Sequence, residues 1–446
     1  INGTGSVKAT VGATTAATLK TIDASANKGG VDLTLTTGDL VAAGTTITGG
    51  SGDDTIKFTA DASTVKFAVD LGAGDDTFAV HTGVAAGSVI KGGEGTDTLS
   101  VSSDYFDGTT PANGKMFTGF EVMELTGSSA AYKIGQVAGI NTINVEATTS
   151  TVTNMADKSG VVVTGNIGTS LTLTLASEVG RNTLDVGFDN GATSAASGVA
   201  VTAANTKAEI LNFHSNGMVN ATANSVVLSG DTLTNLDTVS IDGTQAFSLT
   251  TGVSTTGLTI NATGLSGHLT VDGSAATDNA LSITAGSGGS LITGSVLGDK
   301  IKFGTGADVM AYTAKAQSHD DTTTPVMDTI SNFGTEDLIQ IKADQFTGGS
   351  AAAGETIKIN TFTFEAGGNL PGSGKDLFKM ADGTTAQFAA AKYTNGEGVT
   401  TTYLYVNTEW DADYAGYTSG THATDYDMTI KLAGAVDLTA DNFALV

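Results

Sequence analysis

Residues 49–56 read Gly-Gly-Ser-Gly-Asp-Asp-Thr-Ile, and this pattern of glycines, an aspartate and a short apolar run returns along the chain. Two further copies follow, Leu-Gly-Ala-Gly-Asp-Asp-Thr-Phe at 71–78 and Gly-Gly-Glu-Gly-Thr-Asp-Thr-Leu at 92–99. The last aspartates of the three copies, Asp54, Asp76 and Asp97, are 22 and then 21 residues apart. Repetition at a nearly constant spacing predicts stacked, equivalent structural units.

A second block repeats the pattern in a tighter form. It reads Gly-Asp-Lys-Ile at 298–301 and Gly-Thr-Gly-Ala-Asp-Val-Met at 304–310, so Asp299 and Asp308 are nine residues apart. If each nine-residue unit is half a coil of a two-edged β-roll, the spacings in the first block equal two such units plus an insertion. We therefore expect Asp54, Asp76 and Asp97 to stack on one edge. Serines replace Asp at nine-residue offsets, at positions Ser63, Ser88 and Ser290.

The glycine-aspartate turns have the chemistry of a calcium site. Glycine permits positive φ, which turns backbone carbonyl oxygens inward, and Ca²⁺ accepts both carbonyl and carboxylate oxygen. Ordinary hairpin turns also use Asp and Gly, but three matches in one block and two in another favour the calcium interpretation. The candidate ligand residues are Gly50, Gly52, Asp54, Gly72, Gly74, Asp76, Gly93, Gly95, Asp97, Asp299, Gly304, Gly306 and Asp308.

The rest of the chain predicts an all-β fold. Short runs of Thr, Val, Leu and Ile are separated by clusters of Gly, Asn, Asp and Ser, which is typical of strands and turns. A looser repeat over residues 104–285 fits either a β-solenoid or a β-sandwich, and the sequence leaves both open. Short helices are expected only near residues 13–20 and 375–392.

Charge and composition exclude several classes of protein. The 446 residues hold 20 Lys and Arg against 46 Asp and Glu, a formal charge of −26. Such a polyanion is repelled by nucleic acids and anionic membranes, whereas divalent cations are natural partners. The chain has no Cys, so thiolate catalysis and disulfides are excluded. No His-Glu-x-x-His or Gly-x-Ser-x-Gly motif occurs, and we expect no enzyme activity.

The repeats resemble those of the RTX family, the calcium-binding nonapeptide-repeat proteins exported by type I secretion. The resemblance is close at residues 49–56 and 92–99 and weaker where Leu71 and Phe303 replace the first Gly. The insertions between repeats depart from the tandem form of the family. The resemblance implies Ca²⁺ as cofactor and two parallel β-rolls, at residues 49–103 and 286–345, flanked by an N-terminal β segment at 1–48 and the β-repeat region at 104–285.

The C-terminal part extends the resemblance. Residues 328–341 resemble the segment that closes the roll in RTX proteases, which adds Asp328 and Asp337 to the implied ligands. Residues 346–446 are similar to an RTX C-terminal secretion domain. Because the chain begins at Ile1 without a basic signal region, we expect it to be a fragment or processed product exported through its C-terminal end by the type I machinery.

The abundance of Thr, Ala, Gly and Val makes the chain most similar to RTX-type surface-layer (S-layer) proteins of Gram-negative bacteria. This resemblance implies an extracellular structural protein that self-assembles into a calcium-dependent planar lattice on the cell surface, with an anchor in a missing N-terminal part. Neither nucleic acid nor an inserted membrane segment is expected as a partner. Two alternatives stay open: a secreted RTX adhesin, and the calcium-binding secretion half of an exoenzyme.

Overall fold

A computed structural model describes most of the chain. The described residues are 1–11, 19–35, 44–59, 62–81, 83–101, 113–126, 132–145, 151–164, 172–176, 180–189, 200–203, 208–217, 223–228, 233, 235–252, 257–318, 326–342, 358–364, 386–406 and 428–446. They contain strands and short 3₁₀ turns but no α-helix, and none of their helical segments is long and apolar enough to span a membrane.

The described strands form a parallel β-solenoid, which confirms the all-β and β-roll predictions. Each coil contributes one strand to each of two sheets, and the next coil pairs with it in parallel. The middle repeat follows the same rule, since Val122–Leu125 pairs in parallel with Thr142–Val145 and the latter with Gly160–Val163. Of the two architectures that the sequence left open for this region, the structure therefore shows the solenoid.

The chain divides into two compact units, Ile1–Met218 and Val219–Val446. In unit 1 the strands that follow the glycine-aspartate turns form one sheet, which we call its front sheet. Its strands are Val7–Val11, Val31–Leu35, Thr55–Phe58, Thr77–Val80, Thr98–Val101, Val122–Leu125, Thr142–Val145, Gly160–Val163, Thr183–Phe188 and Ile210–Ser215.

The opposite side of unit 1 consists of shorter sheets. One contains Thr21–Asp23, Thr45–Thr48, Phe67–Ala73, Val89–Glu94 and Phe117–Thr118, and another contains Tyr132–Lys133, Thr151–Met155 and Thr172–Leu175. Asn2–Gly3 pairs with Ala26–Asn27, and the remaining elements are the strand Ala200–Ala203 and the 3₁₀ turns Asn113–Met116 and Ile134–Gln136.

Unit 2 repeats this arrangement. Its front sheet contains Thr238–Gly243, Thr259–Leu265, Ser282–Thr284, Lys300–Lys302, Thr329–Ser331 and Met428–Ala433. Its back sheet contains Asn224–Leu228, Phe247–Thr251, Leu269–Asp272, Ser290–Thr293, Asp308–Tyr312, Leu338–Ile341 and Phe443–Leu445. The 3₁₀ turns are Lys315–Gln317 and Ala440–Asn442.

Alternation along each strand builds the core. Every second side chain points inward, and the parallel register places apolar residues of successive coils directly over one another. One inward column of the front sheet of unit 1 is continuous over seven coils and consists of Leu33, Ile56, Phe78, Leu99, Met123, Ile143 and Val161, all buried. Each coil buries its apolar face only against its neighbours, so the stack is stabilised coil by coil.

The C-terminal segment of unit 2 closes the stack. Met428–Ala433 adds in parallel to Thr329–Ser331, and Phe443–Leu445 adds to Leu338–Ile341. Thr400–Val406 pairs antiparallel with Phe388–Thr394 and with Met428–Ala433. The helix expected near 375–392 is therefore wrong at its C-terminal end, because pairing overrides the helical propensity of the Ala-rich run. Residues 375–385 and 12–18 lie outside the described chain.

Candidate functional site

The three aspartates of the first block form a single column in unit 1, as their spacing predicts. Each is the last residue before a front strand, and each carboxylate accepts a backbone N–H from the coil before it. Oδ1 of Asp54 accepts from Val31 at 2.7 Å, Oδ1 of Asp76 from Asp54 at 2.6 Å, and Oδ1 of Asp97 from Asp76 at 2.9 Å. We call Asp54, Asp76 and Asp97 the aspartate column.

The same role continues beyond the motif, where the sequence did not indicate it. Oε2 of Glu121 accepts the N–H of Asp97 at 3.0 Å, and Oε2 of Glu209 accepts that of Asn182 at 2.7 Å. Both glutamates lie immediately before a front strand. The feature that identifies these two glutamates in the sequence is therefore their position directly before a strand, and not the glycine pattern.

The second carboxylate oxygens of the column differ from one another. Oδ2 of Asp54 accepts the N–H of Gly50 at 2.7 Å. Within the described part of the chain, Oδ2 of Asp76 and Oδ2 of Asp97 are buried without a hydrogen-bond partner, and both residues are 0 % exposed. A buried carboxylate oxygen without a partner costs free energy, about 1–3 kcal/mol or more for a charged group. These two oxygens on adjacent coils therefore favour a proton or a cation.

Electrostatics give the same result. Burial, together with the neighbouring charges of Asp54 and Asp97, raises the pKa of Asp76 to about 7, against the opposing hydrogen bond from the N–H of Asp54. Burial also raises the pKa of Asp54 and of Asp97 above the usual range of a carboxyl group. Stacking carboxylates at the spacing of neighbouring coils, about 4.8 Å, is stable only if their charge is compensated.

The glycines of the first block allow these turns to stack closely. Four of them, Gly72, Gly74, Gly93 and Gly95, have positive φ, as the sequence predicts. A side chain on Gly93 would clash with the carbonyl oxygen of Gly72 in the preceding coil. Gly50, Gly52, Gly304 and Gly306 lack positive φ, and for them the constraint is space alone, because a Cβ would meet the backbone of a neighbouring coil.

The opposite edge of unit 1 uses hydroxyl groups. Ser88 Oγ accepts the N–H of Phe67 at 3.1 Å and donates to the carbonyl oxygen of Ala85 at 2.8 Å, and its side chain is buried. Ser63 lies exposed in the turn that begins at Ala62. Both serines are at this edge, as expected. The hydroxyl of Ser88 forms the hydrogen bonds of its turn without adding a charge.

Unit 2 has two aspartate columns, one on each edge. On the front edge Oδ1 of Asp328 accepts the N–H of Asp299 at 2.8 Å. On the back edge Oδ1 of Asp337 accepts the N–H of Asp308 at 2.9 Å, and Oδ1 of Asp308 accepts the hydroxyl of Ser290 at 2.7 Å. Ser290 thus replaces an aspartate in its column.

All four aspartates of these two columns have hydrogen-bond partners for their second oxygens. Three of these oxygens accept a backbone N–H: Oδ2 of Asp299 from Ser295 at 2.6 Å, Oδ2 of Asp308 from Gly304 at 2.9 Å, and Oδ2 of Asp337 from Gly334 at 2.7 Å. Oδ2 of Asp328 accepts the hydroxyl of Tyr312 at 2.9 Å. Burial raises the pKa of Asp299 and Asp308, and raises that of Asp328 well above its usual range. Internal hydrogen bonds therefore already occupy the oxygens that a metal would need in this block.

Ca²⁺ requires about six to eight oxygen ligands, more than the carboxylates of the described residues bring together. The described residues contain no cluster of three or more His, Cys, Asp or Glu side chains arranged to hold a metal ion. A site at the turns therefore needs backbone carbonyl oxygens beside the carboxylates, a mixture that Ca²⁺ accepts. The unpartnered oxygens of Asp76 and Asp97 belong to turns rich in glycine, which fits this chemistry and makes the first block the better candidate.

Comparison with known proteins adds no family to this description. No protein-family model matches the chain, and no curated protein matches it.

Proposed function

We propose that this chain is a structural protein, not an enzyme, that self-assembles into a calcium-dependent planar lattice on the outside of a bacterial cell after type I export. The observation that carries the proposal is the pair of unpartnered, buried carboxylate oxygens of Asp76 and Asp97 within a stack of glycine turns. The resemblance of these turns to RTX repeats supports Ca²⁺ as the ion, and the Thr-rich composition supports the lattice.

In this proposal the ion supplies positive charge to the aspartate column. Asp76 and Asp97 would hold it, with backbone oxygens of the glycine turns completing the shell, and the hydrogen bonds through Oδ1 would remain. Because an ion that binds only the native state stabilises that state by mass action, folding and calcium binding are linked. Unit 2, whose carboxylates are satisfied internally, would depend less on the ion.

Calcium also bears on assembly. At a formal charge of −26, identical copies repel one another over about 8 Å at physiological salt. Ions bound within each copy lower that charge and fix the turns in one conformation. A lattice then requires contacts that propagate in a plane, which one closed two-fold interface cannot provide.

The test uses the full chain purified in EGTA. We expect monomers in chelator and planar arrays after Ca²⁺ is added, followed by light scattering and negative-stain electron microscopy. Mg²⁺ at the same concentration is the control and should give no arrays, because it demands tight octahedral geometry. A chain that stays monodisperse at saturating Ca²⁺ would contradict the lattice and favour the adhesin or the exoenzyme half.

A further inference from the structure

One face of unit 2 is basic, although the chain as a whole is strongly acidic. The outward-facing residues of its front sheet form two columns set by the parallel register. They contain hydroxyl and amide groups and three lysines: Thr238, Thr259, Ser282, Lys300, Thr329 and Lys431 in one column, and Ser240, Asn261, Thr284, Lys302 and Ser331 in the other. We call this surface the lysine face.

The lysines of this face have no acidic partner in their own chain, as far as the described residues show. None of Lys300, Lys302 and Lys431 forms an ion pair there, whereas Lys8 and Lys91 pair with acids on neighbouring strands. The one outward acid of the front strands, Asp242, is three strands from Lys300, about 14 Å at the usual strand spacing. Lys300 and Lys302 are exposed, so this positive charge is available to a partner.

Unit 1 carries the complementary surface. Asp53, Asp75 and Glu94 are exposed at the glycine-aspartate turns of consecutive coils, and we call them the acid edge. Oδ1 of Asp53 accepts the N–H of Asp75 at 2.9 Å, and Oδ1 of Asp75 accepts the N–H of Thr96 at 2.8 Å, so the turn holds both carboxylates in place. No ion pair within the described residues involves any of the three acids.

The two surfaces match in charge and in scale. Lys300 and Lys302 are about 7 Å apart along one strand, and Lys431 is about 10 Å away, two strands further. Asp53 and Asp75 occupy equivalent positions of neighbouring coils, about 5 Å apart, and Glu94 lies on the third coil in register with Ala73, two residues before the position equivalent to Asp75. The lysine face and the acid edge thus carry three charges of opposite sign over similar lengths. Between copies that otherwise repel, opposite patches of this kind determine which contact forms and in which register.

We propose that the lysine face of one copy binds the acid edge of a second copy of this chain. The proposal deepens, and rests on, the proposed lattice function. The contact joins two different surfaces, one in each unit, so it is heterologous. A heterologous contact leaves a free lysine face and a free acid edge at the ends of every open assembly, and it can therefore propagate instead of closing as a two-fold dimer.

The experiment combines charge reversal with mixing. Sedimentation velocity in Ca²⁺ at an ionic strength of about 10–20 mM measures self-association of the full chain, since screening is weak there. We expect Lys300→Glu/Lys302→Glu to weaken association about tenfold or more, and Asp53→Lys/Asp75→Lys to do the same. The control Lys57→Glu/Lys133→Glu changes the charge equally at two exposed strand positions of unit 1 and should have little effect beyond general repulsion.

Mixing the two charge-reversed variants decides the matter. The Lys300→Glu/Lys302→Glu variant keeps its acid edge, and the Asp53→Lys/Asp75→Lys variant keeps its lysine face. These two intact surfaces can pair, so the mixture should associate although neither variant does so alone. A calcium titration of melting temperature checks that the Asp53→Lys/Asp75→Lys variant still folds and responds to the ion. If the lysine-face variant associates like the wild type, if the mixture stays monomeric, or if the wild type itself does not associate, the proposal is overturned.

Electron microscopy of the same samples separates this inference from the lattice function. Arrays that survive both charge reversals would leave the lattice intact and remove this contact. Association that depends on the charges but never forms sheets would support the contact and contradict the lattice.

Discussion

Adjacent aspartates in the glycine-aspartate turns have different roles, because one carboxylate is buried and the other is exposed. Asp76 is buried, binds the backbone of the preceding coil through Oδ1 and has no partner for Oδ2. Asp53 and Asp75, one residue before members of the column, are exposed and organise the outer layer of the turn. The pair Asp75-Asp76 therefore splits into an outer acid that faces solvent and an inner acid that needs a compensating charge.

Asp76→Asn tests the inner role, and Asp53→Asn is its matched control. Asparagine keeps an oxygen for the N–H of Asp54 but loses one of the two anionic oxygens available to an ion. We expect Asp76→Asn to reduce the calcium-induced rise in Tm by about half or more, because the linkage free energy falls with affinity. Asp53→Asn should leave that rise nearly unchanged. Equal effects of the two substitutions in thermal melts would show that the buried column is not the ion site.

The raised pKa of Asp76 predicts a pH dependence in chelator. The carboxyl binds its proton more tightly when the protein is folded, with a pKa of about 7 against its ordinary value of 3.8. The stability that it contributes is present at low pH and is lost as pH rises through the folded pKa. In EGTA the urea midpoint should be higher at pH 5 than at pH 8, and Asp76→Asn should flatten this slope. A midpoint that rises with pH in the wild type would contradict the assignment.

Elements of this fold depend on close approach between coils more than on strand propensity. Gly50 and Gly5 are both outside the positive-φ region, but they differ in surroundings. A Cβ on Gly50 would clash with the carbonyl oxygen of Asn27, whereas a Cβ on Gly5 would meet nothing within 4 Å. The backbone φ angle does not distinguish these two glycines. They differ only in whether the backbone of a neighbouring coil packs against them.

Gly50→Ala should therefore destabilise the protein by about 1–3 kcal/mol, the usual cost of forcing extra atoms into a packed site. Gly5→Ala is the control and should change stability by less than about 0.5 kcal/mol, as is usual for exposed positions. Urea unfolding of both variants in Ca²⁺ measures the difference. Similar midpoints for the two would mean that the coils can separate locally without cost.

The hydrogen bond between Tyr312 and Asp328 links the two sheets of unit 2. Tyr312 ends the back strand Asp308–Tyr312, and Asp328 directly precedes the front strand Thr329–Ser331. Tyr312 is fully buried and donates to Oδ2 of Asp328, while Ser318 Oγ accepts the N–H of Asp328 and donates to the carbonyl of Thr429. Tyr312→Phe should cost about 1–3 kcal/mol, because it leaves a buried acceptor unpaired. Tyr393→Phe, at a half-buried position, is the comparison and should be nearly neutral in the same unfolding assay.

Particular residues show what the sequence could and could not predict. The column of Asp54, Asp76 and Asp97 followed from spacing, because a repeat that stacks must bring equivalent positions together. Glu121 does not follow from the motif, because its turn contains one glycine, Gly119, and not the repeated Gly-x-Gly-x-Asp pattern, so only its position just before a strand marks its role. The difference between the blocks was equally hidden, since partners such as the hydroxyl of Tyr312 reach Asp328 only through folding.

At the scale of the molecule, each unit is a stack in which most contacts are between neighbouring coils. The parallel register extends through the middle repeat, where the motif itself has faded, because the apolar columns continue there. The alternation of buried and exposed residues is sufficient to specify strands and coils. It does not distinguish a solenoid from a sandwich, since both bury one face of each strand, and the parallel pairing of successive coils decides between them.

The C-terminal strands cover the two edges where the stack of unit 2 would otherwise end. Removing residues 428–446 should expose the edges of Thr329–Ser331 and Leu338–Ile341, and open parallel edges recruit other chains. We expect the truncated chain to aggregate on refolding, as seen by light scattering, whereas deletion of Val446 alone should not cause this. Under the proposed export route the truncated chain should also remain inside the cell.

This closing arrangement has a consequence for the timing of folding. Ile341 and Leu445 lie in paired strands, yet about a hundred residues of chain separate them. Local coils can form while the chain is still being synthesised, but the last coil of unit 2 cannot acquire its neighbour until residue 445 has been added. Until then the edge of the strand Leu338–Ile341 stays unpaired, and a chaperone or an export factor could bind it. Synthesis of the strand Phe443–Leu445 thus ends the period in which this edge is open.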